Sequence, residues 1–468
     1  MTMMTALLVL CPCLVGAVSV GIVGAGIGGS ALSYFLRERF GDDVDVTVFE
    51  ASGRVGGRIR EHRVEEGFVV EAGAAIGIKR NRYFFELSER LGFQAGPPNV
   101  DEGDFAVFNG KQFVFQSSSS SYLTTVWRLV RRYGLSMVTA QDLVRRMATD
   151  FDLIYDIQAA GQAFNTSKSM WDALGLGPYA ALRLNDSLAS EAPWYAPMSG
   201  AFVDEFVAAV TRINYNQAPT TISALAGGIA LAPIVTDQVF SITGGNAQLP
   251  AALLRNSSAH LVLDCPVRSV ERVDDTWRVM LDNGTSVDYD VVALAAPFVT
   301  SSIALGGPDV TVPDRRPYQQ VYTTFVEGRF VPAYFGAKTT KDLPSAIGTV
   351  ESDEIAFSSI GTIRNRNGTR FVKFFSRNPL PESVLSGMFA PGYKVASSTR
   401  WFAYPKFDTP EHLGEFRIGD GLYYLNAIER GASAIEIAMV AAKNVALLIC
   451  DRFRRHNTPA PAPERTEL

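Results

Sequence analysis

The stretch "VSVGIVGAGIGGSALSYFL", Val18 to Leu36, constrains the fold more than any other part of the chain. Val18 to Val23 is apolar and rich in β-branched residues, which suits a buried parallel strand. Gly24, Gly26 and Gly29 follow at Gly-X-Gly-X-X-Gly spacing. Ala31, Leu32, Phe35 and Leu36 then recur at helical spacing, and a second apolar strand, Val44 to Phe49, ends at Glu50. Strand, glycine turn, helix, strand and acid together make a dinucleotide-binding pattern. Gly24 permits the tight turn, Gly26 lets backbone approach a pyrophosphate, and Gly29 lets the helix pack closely on the strand. The helix N-terminus supplies unpaired N–H groups and positive dipole to the phosphates. Glu50, 21 residues past Gly29, is placed to accept both ribose hydroxyls. An α/β chain with a Rossmann-like domain is expected.

The segments that follow favour a flavin over a nicotinamide. "ASGRVGGRIR" puts Gly56, Gly57 and Arg58 just after the ribose acid, where backbone can run close to a diphosphate and Arg58 can pair with it. "EEGFVVEAGAAIG" supplies Gly73 and Ala74, small residues against which a flat ring can lie. Val267 is expected beside the adenine. Near the C-terminus, "DGLYYLNAIERGASAIEIAMVAAKNVALLI" reads as a strand, Leu422 to Leu425, then Glu429, a small-residue turn, and a long helix. That helix begins near Ala434 and Ile435, where its N-terminus can stabilise reduced-flavin charge.

The 468 residues allow two to four domains, and the net charge of −5 leaves no basic footprint for nucleic acid. Met1 to Ser19 carries no charged side chain and is too short to span a bilayer, which needs about 20 apolar residues. It suits a signal peptide, with small residues at Ala17 and Ser19; the alternative is an extension of the first strand. Sequons at Asn165, Asn185, Asn256, Asn283 and Asn367 agree with a secretory route. After the leader only Cys265 and Cys450 remain, as one disulfide or two buried thiols. Neither lies in a flavin-attachment motif, so FAD is expected to be non-covalent. No Cys/His cluster suggests a metal. "YLTTVWRLVRRYGL", from Tyr122, mixes apolar and basic positions, as a core helix or as a peripheral membrane contact.

Several motifs carry a resemblance. "VGGR", "EAGAA" and "ITGGNAQL" resemble the flavin-containing amine oxidase superfamily. "TRINYNQ", "LAGGIALAP", the Trp401 to Pro405 run, "LYYLNAIE" and "VAAKNVALLI" resemble the prenylcysteine oxidase family, from about residue 20 to the C-terminus. The resemblance implies an FAD-dependent thioether oxidase of a lysosomal or other endomembrane compartment. It would act on farnesyl- or geranylgeranylcysteine from the breakdown of prenylated proteins, with oxygen as acceptor. An isoprenoid aldehyde, cysteine and hydrogen peroxide would be the products. Two positions depart from the family: Asn216 stands where members have glycine, and Arg430 where they have an aromatic residue. No catalytic side chain stands out, and the amine-oxidase lysine has no clear counterpart. That fits a thioether, whose sulfur has no proton to remove; the flavin would take a hydride from the adjacent carbon.

The expected architecture is a two-domain FAD oxidoreductase. Residues 20–80, 230–300 and 415–455 form the FAD domain, and 81–229 and 301–414 an interleaved α+β substrate domain. Residues 1–19 form the leader and 456–468 a disordered tail. A prenyl tail needs an apolar tunnel. Candidates for its wall are Phe105, Phe108, Phe113, Phe115, Tyr122, Trp127, Trp194, Tyr195 and Phe206, each of which also suits ordinary core. An amine or polyamine oxidase and a non-catalytic flavoprotein or lipid carrier are the competing readings.

Overall fold

In the computed structural model, residues 17–65, 68–98, 103–194, 196–235 and 239–457 are described. Strand β1 (Val18–Val23) lies in the middle of a six-stranded sheet. On one side it pairs in parallel with β2 (Val44–Phe49), which in turn pairs with His260–Val262. On the other it pairs in parallel with Val291–Leu294, followed by Leu422–Tyr424 and an antiparallel edge strand, Arg417–Gly419. A parallel sheet covered on both faces needs continuous apolar strands. Val20, Ile22, Val48, Val291, Val292 and Ala293 are accordingly sealed from solvent.

Helix α1 (Ile27–Phe40) buries Ala31, Leu32, Phe35 and Leu36, the positions its spacing predicts. The long C-terminal helix Ile435–Asn457 shares this core through Val440, Ala441 and Val445. Its first turn is tied down by Glu436, buried, which accepts Tyr83 N–H at 3.0 Å, Phe84 N–H at 2.8 Å and the Tyr155 hydroxyl at 2.7 Å. Burial pushes the Glu436 carboxyl up to about 7 despite these donors. The bonds fix the helix N-terminus against Arg82–Arg90 and so set where it points.

A second sheet of seven strands runs Lys394–Pro405, Tyr318–Gly328, Thr369–Ser376, Ser359–Arg366, Ala346–Thr349, Phe105–Phe108, Phe113–Gln116. It is antiparallel except where Ala346–Thr349 meets Phe105–Phe108. Helices such as Ser136–Ala159 precede its longer strands in the chain. Among the described residues no helix is long and apolar enough to cross a membrane.

Two sequence boundaries need correction. Val18 and Ser19, assigned to the leader, belong to β1: they pair with Val44 and Asp45. Ser19 N–H also donates to Asp290 Oδ2 at 2.8 Å, and Asp290 N–H donates to Ser19 Oγ at 3.0 Å. A leader that leaves the sheet whole must end before Val18; residues 1–16 lie outside the described residues. At the other end, helix extends to Asn457, past the expected start of the tail, and 458–468 lie outside the described residues. Cys265 and Cys450 are buried thiols, not a disulfide.

Candidate functional site

The glycine turn forms a cradle between β1 and α1. Gly24 N–H donates to Phe49 O at 2.7 Å, and Gly56 N–H to Ala25 O at 2.9 Å. These bonds draw the loop after β2 against the turn. A Cβ on Gly29 would lie 2.0 Å from Gly24 O, so helix and turn meet at a distance only glycine permits. Gly57 has φ +56°, and a Cβ there would come within 3.1 Å of Gly26 Cα. No side chain caps α1, and Gly26, Ile27 and Gly28 line the cavity, which puts a positive helix end at the surface of the cradle. Glu50 closes the turn: its Oε2 accepts Ala25 N–H at 2.9 Å, and its Oε1 accepts Ser52 N–H at 3.0 Å.

One cavity of about 950 Å³ collects most of the residues marked from sequence. Gly24, Gly26, Glu50, Gly56, Gly57, Arg58, Gly73, Ala74, Glu429, Ala434 and Ile435 all line it. Gly29 and Val267 do not. Gly29 is consumed in packing, as expected. Val267 opens the strand Val267–Val273, where it pairs with Leu281 in a separate four-stranded sheet.

Arg58, which lines the cavity, is also held by protein groups. It forms an ion pair with Glu429, while its Nη1 donates to Ala403 O at 3.0 Å and Ser433 Oγ at 3.2 Å. The Tyr318 hydroxyl donates to the other Glu429 oxygen, and the Arg58 guanidinium lies 5.9 Å from the Tyr318 ring centroid. Burial opposes the arginine charge, but Glu429 and Tyr318 outweigh it and hold Arg58 above its ordinary pKa. The cluster joins the cradle loop, the second sheet and the turn before the C-terminal helix. Arg54, beside it, donates to Gly57 O at 2.5 Å and stiffens the same loop.

Beyond the cradle the cavity becomes an apolar chamber. Ile213, Ile229, Ile347, Ile360, Phe375 and Trp401 are among its walls, with Tyr215 and Tyr404 crossing edge to face at 5.1 Å. The Tyr215 hydroxyl donates to Ser433 O at 2.7 Å, linking the chamber to the C-terminal turn. None of the aromatic residues proposed for a tunnel lines it. Phe108, Phe115 and Phe206 are packed in core, and Phe105 and Phe113 pack beside it. Tyr122, Trp127 and Trp194 are exposed, and Tyr195 lies outside the described residues. Aromatic abundance did not locate the wall: on the Lys394–Pro405 strand it is Trp401, Phe402, Ala403 and Tyr404 that line the cavity.

The departures from the family pattern also have structural answers. Asn216 adopts φ 52° at the end of the helix Ala208–Tyr215, a conformation that asparagine tolerates better than other side chains. Its Oδ1 accepts the Ser358 hydroxyl at 2.5 Å. Arg430 turns away from the chamber, pairing with Asp314 and donating to His412 O at 2.6 Å. Among the sequons, Asn165, Asn256, Asn283 and Asn367 are exposed, and Asn185 is half-buried.

The residues present fit FAD. The glycine cradle is filled if a Cβ is added, two helix N-termini meet the cavity, and Asn426 Oδ1 is buried at its wall with no partner among the described residues. Rossmann-type sheet, cradle and roofing second sheet define a two-domain FAD-dependent oxidase. Cyclohexylamine oxidase from Brevibacterium oxydans shares this fold, with a TM-score of 0.61 at 15% identity over 93% of this chain and 99% of that one. More narrowly, the chain belongs to the prenylcysteine lyase family, whose profile matches residues 116–460. An NAD(P)-binding Rossmann-like profile matches 22–91. Farnesylcysteine lyase of Arabidopsis thaliana is 32% identical over 96% of this chain and 91% of its own. Prenylcysteine oxidase 1 of Mus musculus is 31% identical, over 93% and 89% respectively.

Proposed function

We propose that the protein oxidises the thioether of farnesyl- or geranylgeranylcysteine. Substrate, oxygen and water would give prenyl aldehyde, cysteine and hydrogen peroxide, with cleavage of the carbon–sulfur bond. The observation that carries this reading is the continuity of one cavity from the glycine cradle into a long apolar chamber. FAD, when bound, supplies the two-electron acceptor. The chain's own residues do the rest: Ile213, Ile347, Ile360 and Trp401 hold an apolar tail out of water, and the Arg58–Glu429–Tyr318 cluster keeps the cradle loop in place. A polyamine would need carboxylates in the chamber; among the described residues the acids lining the cavity, Glu50 and Glu429, are already engaged at the cradle.

Purified protein should be yellow and should bleach when farnesylcysteine is added without oxygen. Persistent yellow with farnesylcysteine, but bleaching with a polyamine, would transfer the assignment to the amine oxidases; a colourless protein would favour a carrier.

The setting we propose is the secretory pathway, with the lysosome as destination. The exposed sequons and the apolar N-terminal run support it. A prenylated substrate partitions into membranes, and the helix Tyr122–Tyr133 offers a peripheral contact. It exposes Tyr122, Leu123, Trp127 and Val130 beside Arg131. Glycosidase treatment of protein from its native cell should speed its migration on a gel, and the purified protein should float with anionic vesicles. An unshifted band would remove the secretory assignment, and failure to float the membrane contact.

A further inference from the structure

The seven-stranded sheet gives the cavity a wall that is apolar or neutral with one exception. Among the described residues, Lys373 is the only charged side chain this sheet places there. It sits in the middle of Thr369–Ser376, between Gly361 and Phe325 on the flanking strands. Phe375, two residues on, shares its face and also lines the cavity. The ammonium is held by one hydrogen bond, donated to the main-chain oxygen of Glu71 at 3.1 Å, and lies 4.9 Å from the Phe375 ring centroid.

A half-buried ammonium with so little compensation is costly. Burial pushes Lys373 down to about 8, and the nearby Glu71 carboxylate only partly restores its charge. Glu71 does not bond to it: its Oε1 accepts Asn246 N–H at 2.6 Å, and its Oε2 has no partner among the described residues. Burial also raises the Glu71 carboxyl to about 7, weakening it as a counter-ion near neutrality. Lys373 therefore remains largely charged at neutral pH and has no bonded anion among the described residues.

Resting on the prenylcysteine reading, we propose that Lys373 anchors the α-carboxylate of the substrate's cysteine end. The placement fits the substrate's polarity. Glu71, which holds the lysine, leads directly into Gly73 and Ala74 on the cofactor side of the cavity. An acid group anchored there leaves the sulfur and its neighbouring carbon on the cofactor side, and sends the prenyl tail along Ile347, Ile360 and Ile213. Lys373 thus selects free prenylcysteine over a prenyl group whose cysteine carboxyl is missing or capped.

The test compares farnesylcysteine with S-farnesylcysteamine, which lacks the carboxylate, on FAD-loaded wild type, Lys373→Met and Lys373→Arg. Flavin absorbance checks each cavity. For Lys373→Met, KM for farnesylcysteine should rise by roughly tenfold or more, as for loss of a charge-assisted hydrogen bond. KM for the cysteamine compound should barely change, and Lys373→Arg should recover part of the loss. Equal losses on both compounds would overturn the anchor and leave only a structural role. No loss on either would overturn it as well. Wild type inert toward both would instead overturn the substrate assignment, and the anchor with it.

Discussion

Arg58→Met should lower the stability of the protein by about 3 kcal/mol, the scale set by stranding one member of a buried ion pair. Glu429 is almost fully buried, and its side chain keeps only 3% exposure beside the arginine. Removing the guanidinium leaves that carboxylate with the Tyr318 hydroxyl alone. Arg58 itself retains 28% side-chain exposure, so the lower end of the range applies. Urea unfolding of the two forms measures the difference. The double variant Arg58→Met, Glu429→Gln should recover much of the loss, because the stranded charge is gone. If the double variant is no more stable than the single one, the loss comes from packing and the ion pair is not its cause.

Glu50→Ala should bind FAD roughly thirtyfold more weakly, from about 2 kcal/mol of lost hydrogen bonding to a charged acceptor. The carboxylate fixes the cradle through Ala25 N–H and Ser52 N–H, and it lines the cavity where ribose is expected. Glu50→Gln, which keeps one acceptor oxygen, should fall between. Flavin retained per protein after gel filtration reads both. Wild-type retention in the alanine variant would remove Glu50 from the cofactor site.

The cofactor side of the molecule was legible because its signals are local. β1, the glycine turn and α1 are contiguous, and Gly29 answers to Gly24, five residues before it. The C-terminal helix was legible for the same reason: a strand, small residues and a long apolar helix stand in sequence order. The substrate chamber was not legible, because its wall is assembled from residues of strands distant in sequence. Phe375 and Trp401 show no more in the sequence than Phe108 or Phe206, yet only the former pair face the cavity. The ion pair of Arg58 was hidden for a related reason. Its partner Glu429 lies 371 residues away, so nothing local reveals that its charge is already met. The fold, by contrast, makes Asn216 intelligible: a position whose backbone requires positive φ accepts asparagine with little strain.

β1 pairs directly with Val291–Leu294, that strand pairs with Leu422–Tyr424, and α1 packs on the helix that begins at Ile435. The cofactor side of the cavity thus joins stretches from near both ends of the described chain. During synthesis the glycine cradle emerges early but has no opposite wall until the final helix has left the ribosome. Capture of FAD is then a closing event, and a ligand that binds only the closed form stabilises it in proportion to its free concentration. Flavin supplied during folding is thereby expected to raise the yield of folded protein.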